Sequence, residues 1–189
     1  MPREVELKSV VDDVDACRRR LDAAGARVTF DGRLEDRRYD LPDRRLSDAD
    51  QVLRVRSYEE SSGRRAALDW KGPTRYENGY KVRDEISTAT DAAPMIAILD
   101  RLGYTVVVEI CRDVVQYEVG DTTVRFERYA RMDTLVEVEG PPEGIERAVE
   151  ALGMPRSGFT PDRFATFVAR FEARTGERAI IGNAGQPHG

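Results

Sequence analysis

Charged residues recur at every second position along several stretches of this chain. Glu4, Glu6 and Lys8 alternate with Val5 and Leu7, and Arg54 and Arg56 alternate with Leu53 and Val55. Asp69 and Lys71 stand opposite Leu68 and Trp70, and Lys81, Arg83 and Glu85 opposite Tyr80, Val82 and Ile86. Arg125 and Glu127 share a parity, as do Glu137 and Glu139. Alternate side chains of a strand point to opposite faces, so each stretch, read as a strand, has one ionic and one apolar face. The residue types are chemically specific. Glutamates are hard oxygen donors suited to Mg²⁺ or Mn²⁺, and Arg and Lys hold phosphate oxygens.

A single stretch of this kind reads as a half-solvated edge strand. Together the stretches collect Glu4, Glu6, Glu85, Glu127, Glu137 and Glu139 with Lys8, Arg54, Arg56, Lys71, Arg83, Arg112 and Arg125 on one ionic face. That face could be the wet side of a sheet whose other side packs on helices. A solvated face does not explain why the acids gather towards the chain ends while most bases come from the middle. Closing about eight strands into a barrel explains it better, because closure encloses a lumen lined by both signs of charge. Burying so many charges is costly without ligands to pair them. A polyanion with divalent cations is the economical ligand, and it points to an oligophosphate beside metal ions. Phosphoryl transfer needs mainly positioning, metal charge and a water or hydroxyl nucleophile, so no histidine or cysteine nucleophile is required.

The elements that must position these residues can be read in order. Asp12 or Asp13 caps a helix carrying Val14, Cys17, Leu21 and Ala24, which stops at Gly25. Residues 26–35 read as a strand or an irregular connection, and 37–41 as a short strand. Strands are expected over 51–58, 66–71, 79–87, 104–110, 112–119, 122–129 and 134–140. Helices are expected over 92–102 after Asp91, over 142–152, and over 161–175 with Thr160 as N-cap and Pro161 in the first turn. The reading is a single α+β domain over 1–176, a closed antiparallel β-barrel of about eight strands with helices packed outside. A disordered tail is expected over 177–189.

Composition narrows the function classes. Of 189 residues, 30 are Lys or Arg and 35 Asp or Glu, for a net charge of −5, which argues against a broad nucleic-acid-binding surface. Cys17 and Cys111 fit no disulfide or metal framework, and together with a charged N-terminus and no long apolar run they predict a cytoplasmic protein without a membrane span. The single histidine, His188, lies in the polar tail, so histidine chemistry is not expected.

The ordered motifs resemble the CYTH domain, the triphosphate tunnel metalloenzyme family that includes class IV adenylyl cyclases and thiamine triphosphatases. Glu4-Val5-Glu6-Leu7-Lys8 resembles its N-terminal ExExK motif, and Tyr39-Asp40-Leu41-Pro42-Asp43-Arg44-Arg45-Leu46 the connection that follows. Leu53-Arg54-Val55-Arg56 is similar to the paired-arginine strand, Trp70-Lys71-Gly72-Pro73 to the lysine strand, and Arg83-Asp84-Glu85 to the Arg/Glu strand. Arg112 fits a later basic strand and Val136-Glu137-Val138-Glu139 the closing ExE strand. The match runs in order from residue 4 to about 170.

The resemblance implies a tunnel that binds a triphosphate with one or two Mg²⁺ or Mn²⁺ ions, one bracing the phosphates and a second activating the attacking group. Glu4, Glu6, Glu127, Glu137 and Glu139 would hold metal, with Glu85 contributing, while Lys8, Arg54, Arg56, Lys71, Arg83 and Arg112 would grip phosphate. Glu4, Glu6 and Lys8 form the implied catalytic motif, and no firm family role attaches to Arg125. Three positions depart from the family pattern. Glu127 replaces an aspartate, Ile110 stands where many members carry a second lysine, and Phe159 lies near a common tyrosine. The implied activity is hydrolysis of inorganic triphosphate or a small organic triphosphate. A class IV adenylyl cyclase and a non-catalytic polyphosphate- or nucleotide-binding module are the alternatives. Expected partners are a small triphosphate or nucleotide, in a monomer or homodimer.

Overall fold

Strand β1 (Arg3–Val10) closes the sheet by pairing on both of its edges. Arg3 to Glu6 run antiparallel to Lys81–Asp84 of β6 (Tyr80–Thr90), while Glu6 to Val10 run antiparallel to β9 (Leu135–Glu139). The remaining order is β9, β8 (Thr122–Arg128), β7 (Thr105–Val119), β2 (Arg27–Asp40), β3 (Val52–Glu60), β4 (Gly63–Lys71) and back to β6. The computed structural model describes residues 3–182, and among these the eight strands form a closed antiparallel barrel. A three-residue strand, β5 (Arg75–Glu77), pairs with Tyr80–Val82 at the start of β6.

Two strands are longer than the alternation predicts. Residues 27–40 form one strand, and residues 105–119 form another where two were expected. The two pair with each other from Arg27 opposite Glu118 to Asp40 opposite Thr105, with irregularities at Val28/Phe30 and Arg38/Tyr39. Backbone pairing on a neighbouring strand carries the extended conformation through Glu35-Asp36-Arg37, residues of low strand propensity. The short helix α2 (Arg45–Asp48) and β5 had no periodic signal.

The apolar faces turn outward and are covered by helices. Helices α1 (Val14–Ala23) and α4 (Pro142–Leu152) bring Cys17, Leu21, Ile145, Ala148, Val149 and Leu152 against Leu7, Val124, Phe126, Val136 and Val138. Helix α3 (Ala92–Arg101) sets Leu99 against Tyr39 and Val55. Each large side chain buried this way contributes about 1.5–3 kcal/mol. Asp13 caps α1 by accepting from Ala16 N at 2.8 Å, and Gly25 follows in the left-handed region at φ +76°. Asp91 occupies the N-cap of α3, but its side chain makes no capping bond.

Helix α5 (Phe164–Thr175) begins three residues later than expected. Thr160 is not its cap, because its backbone is tied to Lys8 (Lys8 N to Thr160 O 2.9 Å, Thr160 N to Lys8 O 2.8 Å) and is held extended. Backbone hydrogen bonds reach into the segment that follows Glu177. Ile180 N donates to Arg131 O at 2.9 Å, and Cys111 N donates to Ile181 O at 2.6 Å. Residues 183–189, including His188, lie outside the described residues. Cys17 and Cys111 are both free and buried. Among the described residues no helix is long and apolar enough to cross a membrane.

Candidate active site

The inward faces of the strands enclose a cavity of 380 Å³ lined by ten Lys or Arg and nine Asp or Glu side chains. All twelve residues expected to hold metal or phosphate lie on its wall, as does Arg125. Parity placed them there. Which of them meet is decided by strand register.

Register brings three carboxylates together. Glu6 stands opposite Glu139 on β9 and opposite Lys81 on β6. Ligand oxygens of Glu4, Glu6 and Glu139 lie within 4.8 Å of one another, and among the described residues no other set of three or more potential ligands does so. The three differ in electrostatics. Burial would raise the Glu6 carboxyl, but Lys8 and Lys81 outweigh it and hold it down to about 2. Glu4 is also lowered, burial being overcome chiefly by Lys71. Glu139 is pushed up to about 7 by burial and by the Glu4 charge. Glu4 Oε2 is buried and accepts no hydrogen bond. Converging hard oxygens, one of them without a donor, fit Mg²⁺ or Mn²⁺.

The other three glutamates assigned to metal are not in this group. Glu137 sits 2.6 Å from Lys8 Nζ and accepts from Arg125 Nη1 at 2.7 Å. Glu127 accepts from Arg112 Nε at 2.7 Å and from the Tyr129 hydroxyl at 2.6 Å. Glu85 lies 3.2 Å from Lys71 and 3.6 Å from Arg54. Each is paired with cations and lies apart from the three converging acids.

The cationic wall is organised by Asp36, which sequence reasoning missed. Asp36 is 1% exposed and takes a bidentate pair from Arg56 at 2.6 and 2.8 Å. Arg112 and Arg54 approach it at 3.2 and 3.5 Å. Burial works against the Asp36 charge, yet Arg112, Arg56 and Arg54 hold its carboxyl well below the ordinary range. Asp69 does the same locally, accepting from Arg54 Nε and Ser87 Oγ at 2.6 Å each. These carboxylates hold the guanidinium groups in place on the cavity wall. The signal for Asp36 was its parity with Arg38, hidden because the strand was broken at residue 36.

Arg83 is committed differently from its neighbours. It donates to the backbone carbonyls of Gly72 at 2.6 Å and Asp50 at 2.7 Å, tying two loops at one end of the cavity. Arg38 also lines the cavity, and its buried Nε has no hydrogen-bond partner. Burial pulls its guanidinium down to about 10, with Asp36 opposing, so it stays cationic at neutral pH. Lys81 belonged to the ionic face of its strand but not to the predicted site. It donates to Glu6, as does Lys8. Lys71 donates to Glu4.

Comparison with known proteins agrees with this fold. The model of the CYTH domain family matches residues 2–147. A Vibrio parahaemolyticus protein described as a candidate adenylate cyclase superposes with a TM-score of 0.74 at 19% identity, covering 88% of this chain and 97% of its own. A Pyrococcus horikoshii OT3 protein gives 0.72 at 23% identity, covering 88% and 98%. A candidate adenylyl cyclase from Hippeastrum with a dominant triphosphatase activity gives 0.61 at 16% identity, covering 90% and 96%. These likenesses establish a shared fold. No curated protein sequence matches this chain.

Proposed function

Because this chain belongs to the CYTH domain family, we propose that it hydrolyses a triphosphate in the barrel lumen with the help of a divalent metal. The observation that carries this reading is the Glu4, Glu6 and Glu139 group, with its unpartnered Glu4 Oε2, facing a wall of arginines. A protein that only bound phosphate would have no use for three converging acids. Mg²⁺ or Mn²⁺ held by these glutamates would supply the positive charge that offsets negative charge building up on the phosphate oxygens.

The chain's own residues bind and orient. Arg54, Arg56 and Arg112 are held in place by Asp36 and Asp69, so little side-chain freedom remains to be lost on binding phosphate. Arg38 offers an unsatisfied donor to the same anion. Lys8 is held firmly protonated, since Glu137 and Glu6 more than offset its burial. It therefore acts as a fixed positive charge and not as a proton shuttle. Glu139, near 7, is the acid of the group able to hold or release a proton at neutral pH.

The test is an assay of purified protein with Mg²⁺ or Mn²⁺ against inorganic triphosphate, thiamine triphosphate and ATP in parallel. Phosphate release without cyclic AMP is the expected result. Cyclic AMP with pyrophosphate would replace hydrolysis by cyclisation, and tight binding without turnover would reduce the protein to a binding module.

A further inference from the structure

Outside the barrel, the outer faces of β2, β3 and β4 and the first turn of α3 enclose a cavity of 430 Å³ lined by Arg33, Arg37, Arg64 and Arg65. Its size is that of a small-molecule site. Glu35, Glu59 and Asp91 line it too, but two of these acids are already committed. Glu35 accepts from Arg37 and Glu59 from Arg64, each at 2.7 Å. Arg65 differs. Among the described residues it meets rings and no carboxylate, its guanidinium carbon lying 3.6 Å from the Tyr58 ring centroid and 5.8 Å from that of Phe30. At 3.6 Å the guanidinium must lie flat on the Tyr58 ring, because an N–H turned into the ring would clash with it. Its donors therefore spread parallel to the ring and are held there by the stack. The first turn of α3 adds two more donors. The Asp91 side chain makes no capping bond and Pro94 has no N–H, which leaves the amides of Ala92 and Ala93 without a partner within the helix. Both residues line the cavity.

We propose that this cavity is a second anion site, which takes a phosphate group either free or at the end of a small organic molecule. An arginine fork and helix amides are the donors that phosphate oxygens take, and here they line one cavity from a strand and from a helix. Ala66 and Ile96 line the same cavity and offer an organic remainder an apolar surface. Asp91 is the acid that opposes the anion, since among the described residues it makes no ion pair. Tyr58 also lines the lumen, where the Arg56 guanidinium carbon lies 6.0 Å from its ring centroid. One ring thus stands between the two cavities, and binding in the outer one does not depend on what the lumen holds.

The experiment titrates the ¹⁵N-labelled full chain with inorganic phosphate and with adenosine monophosphate, at an ionic strength held constant with chloride. NMR follows the amides of Ala92 and Ala93 and the Nε–H of Arg65. Saturable shifts at all three are expected. Arg65→Ala should raise the Kd for phosphate about tenfold or more, and Asp91→Asn should lower it about threefold. Both positions are exposed, so the rest of the spectrum should report an unchanged fold. Phosphate that reaches only the lumen would move the Nε–H signals of Arg54 and Arg112 and leave these three in place. That result overturns the outer site and leaves the triphosphatase reading standing. Shifts that do not saturate, or a Kd unchanged in Arg65→Ala, overturn it as well. Tighter binding of adenosine monophosphate than of phosphate identifies an organic phosphate as the occupant, equal binding identifies the free ion, and either supports the site.

Discussion

Two groups of buried carboxylates line the same lumen and differ in their surroundings. Asp36 and Asp69 are held by guanidinium groups at 2.6–3.5 Å, and the pKa of each is kept below the ordinary aspartate value. Glu4, Glu6 and Glu139 are turned on one another, and one of them is driven up to about 7. Buried charge is tolerated when it is paired and hydrogen-bonded. The first group meets that condition within the chain. The second meets it in part: Lys8 and Lys81 pair with Glu6 and Lys71 with one oxygen of Glu4, while Glu4 Oε2 has no donor and Glu139 stays under the Glu4 charge.

The largest effect is expected at Asp36. Asp36→Asn leaves Arg56, Arg54 and Arg112 facing a neutral group, and loss of about 3–5 kcal/mol of stability is expected in denaturant unfolding. A loss below about 1 kcal/mol would show that the arginines are not held by Asp36. Glu139→Gln should do the reverse. It removes a like charge from the acid group, so metal-free stability should change by less than about 1 kcal/mol, while Mn²⁺-dependent turnover falls by roughly 10²-fold or more. Glu139→Ala should abolish that turnover without unfolding the protein, and retained activity in either variant would remove Glu139 from the site.

pH sharpens the same contrast, because the two groups have opposite linkage. Asp36 is lowered in the folded chain, so its contribution is present above the ordinary aspartate value of 3.8 and is lost as pH falls through the folded value. Glu139 is raised from 4.5 to about 7. Between those values the folded chain keeps a proton that the unfolded chain has released, and metal-free stability declines as pH rises through that window. Because metal binding displaces the proton, apparent Mn²⁺ affinity should rise from pH 6 to pH 8, and Glu139→Gln should flatten that rise. The smallest effect is expected at Ser87→Ala, which deletes one hydrogen bond to Asp69 and should cost about 1 kcal/mol. No measurable cost would mean that Arg54 alone holds Asp69.

The site was legible to the extent that it depends on parity. The alternation Glu4/Glu6/Lys8 and Arg54/Arg56 puts side chains on one face whatever the partner strand, and every residue chosen on that ground lines the cavity. Asp36 and Arg38 were missed because their strand was split at the charged run Glu35-Asp36-Arg37, where local propensity opposes a strand and pairing with 105–119 enforces one. The late start of α5 was illegible for a similar reason. Thr160-Pro161 is a good helix beginning by local rules, but the bridge to Lys8 holds Thr160 extended.

By itself the sequence determined that one face of a sheet-rich domain is ionic and that its apolar faces must be covered by helices, since side-chain direction and hydrophobic periodicity are local properties of the backbone. Only the tertiary structure decided that Glu139 meets Glu4 and Glu6 while Glu127 and Glu137 meet Arg112, Lys8 and Arg125. That choice depends on register between strands at the two ends of the barrel sequence, β1 against β9, which sets Glu6 opposite Glu139. A shift of that register would keep every composition and motif and bring different charges together.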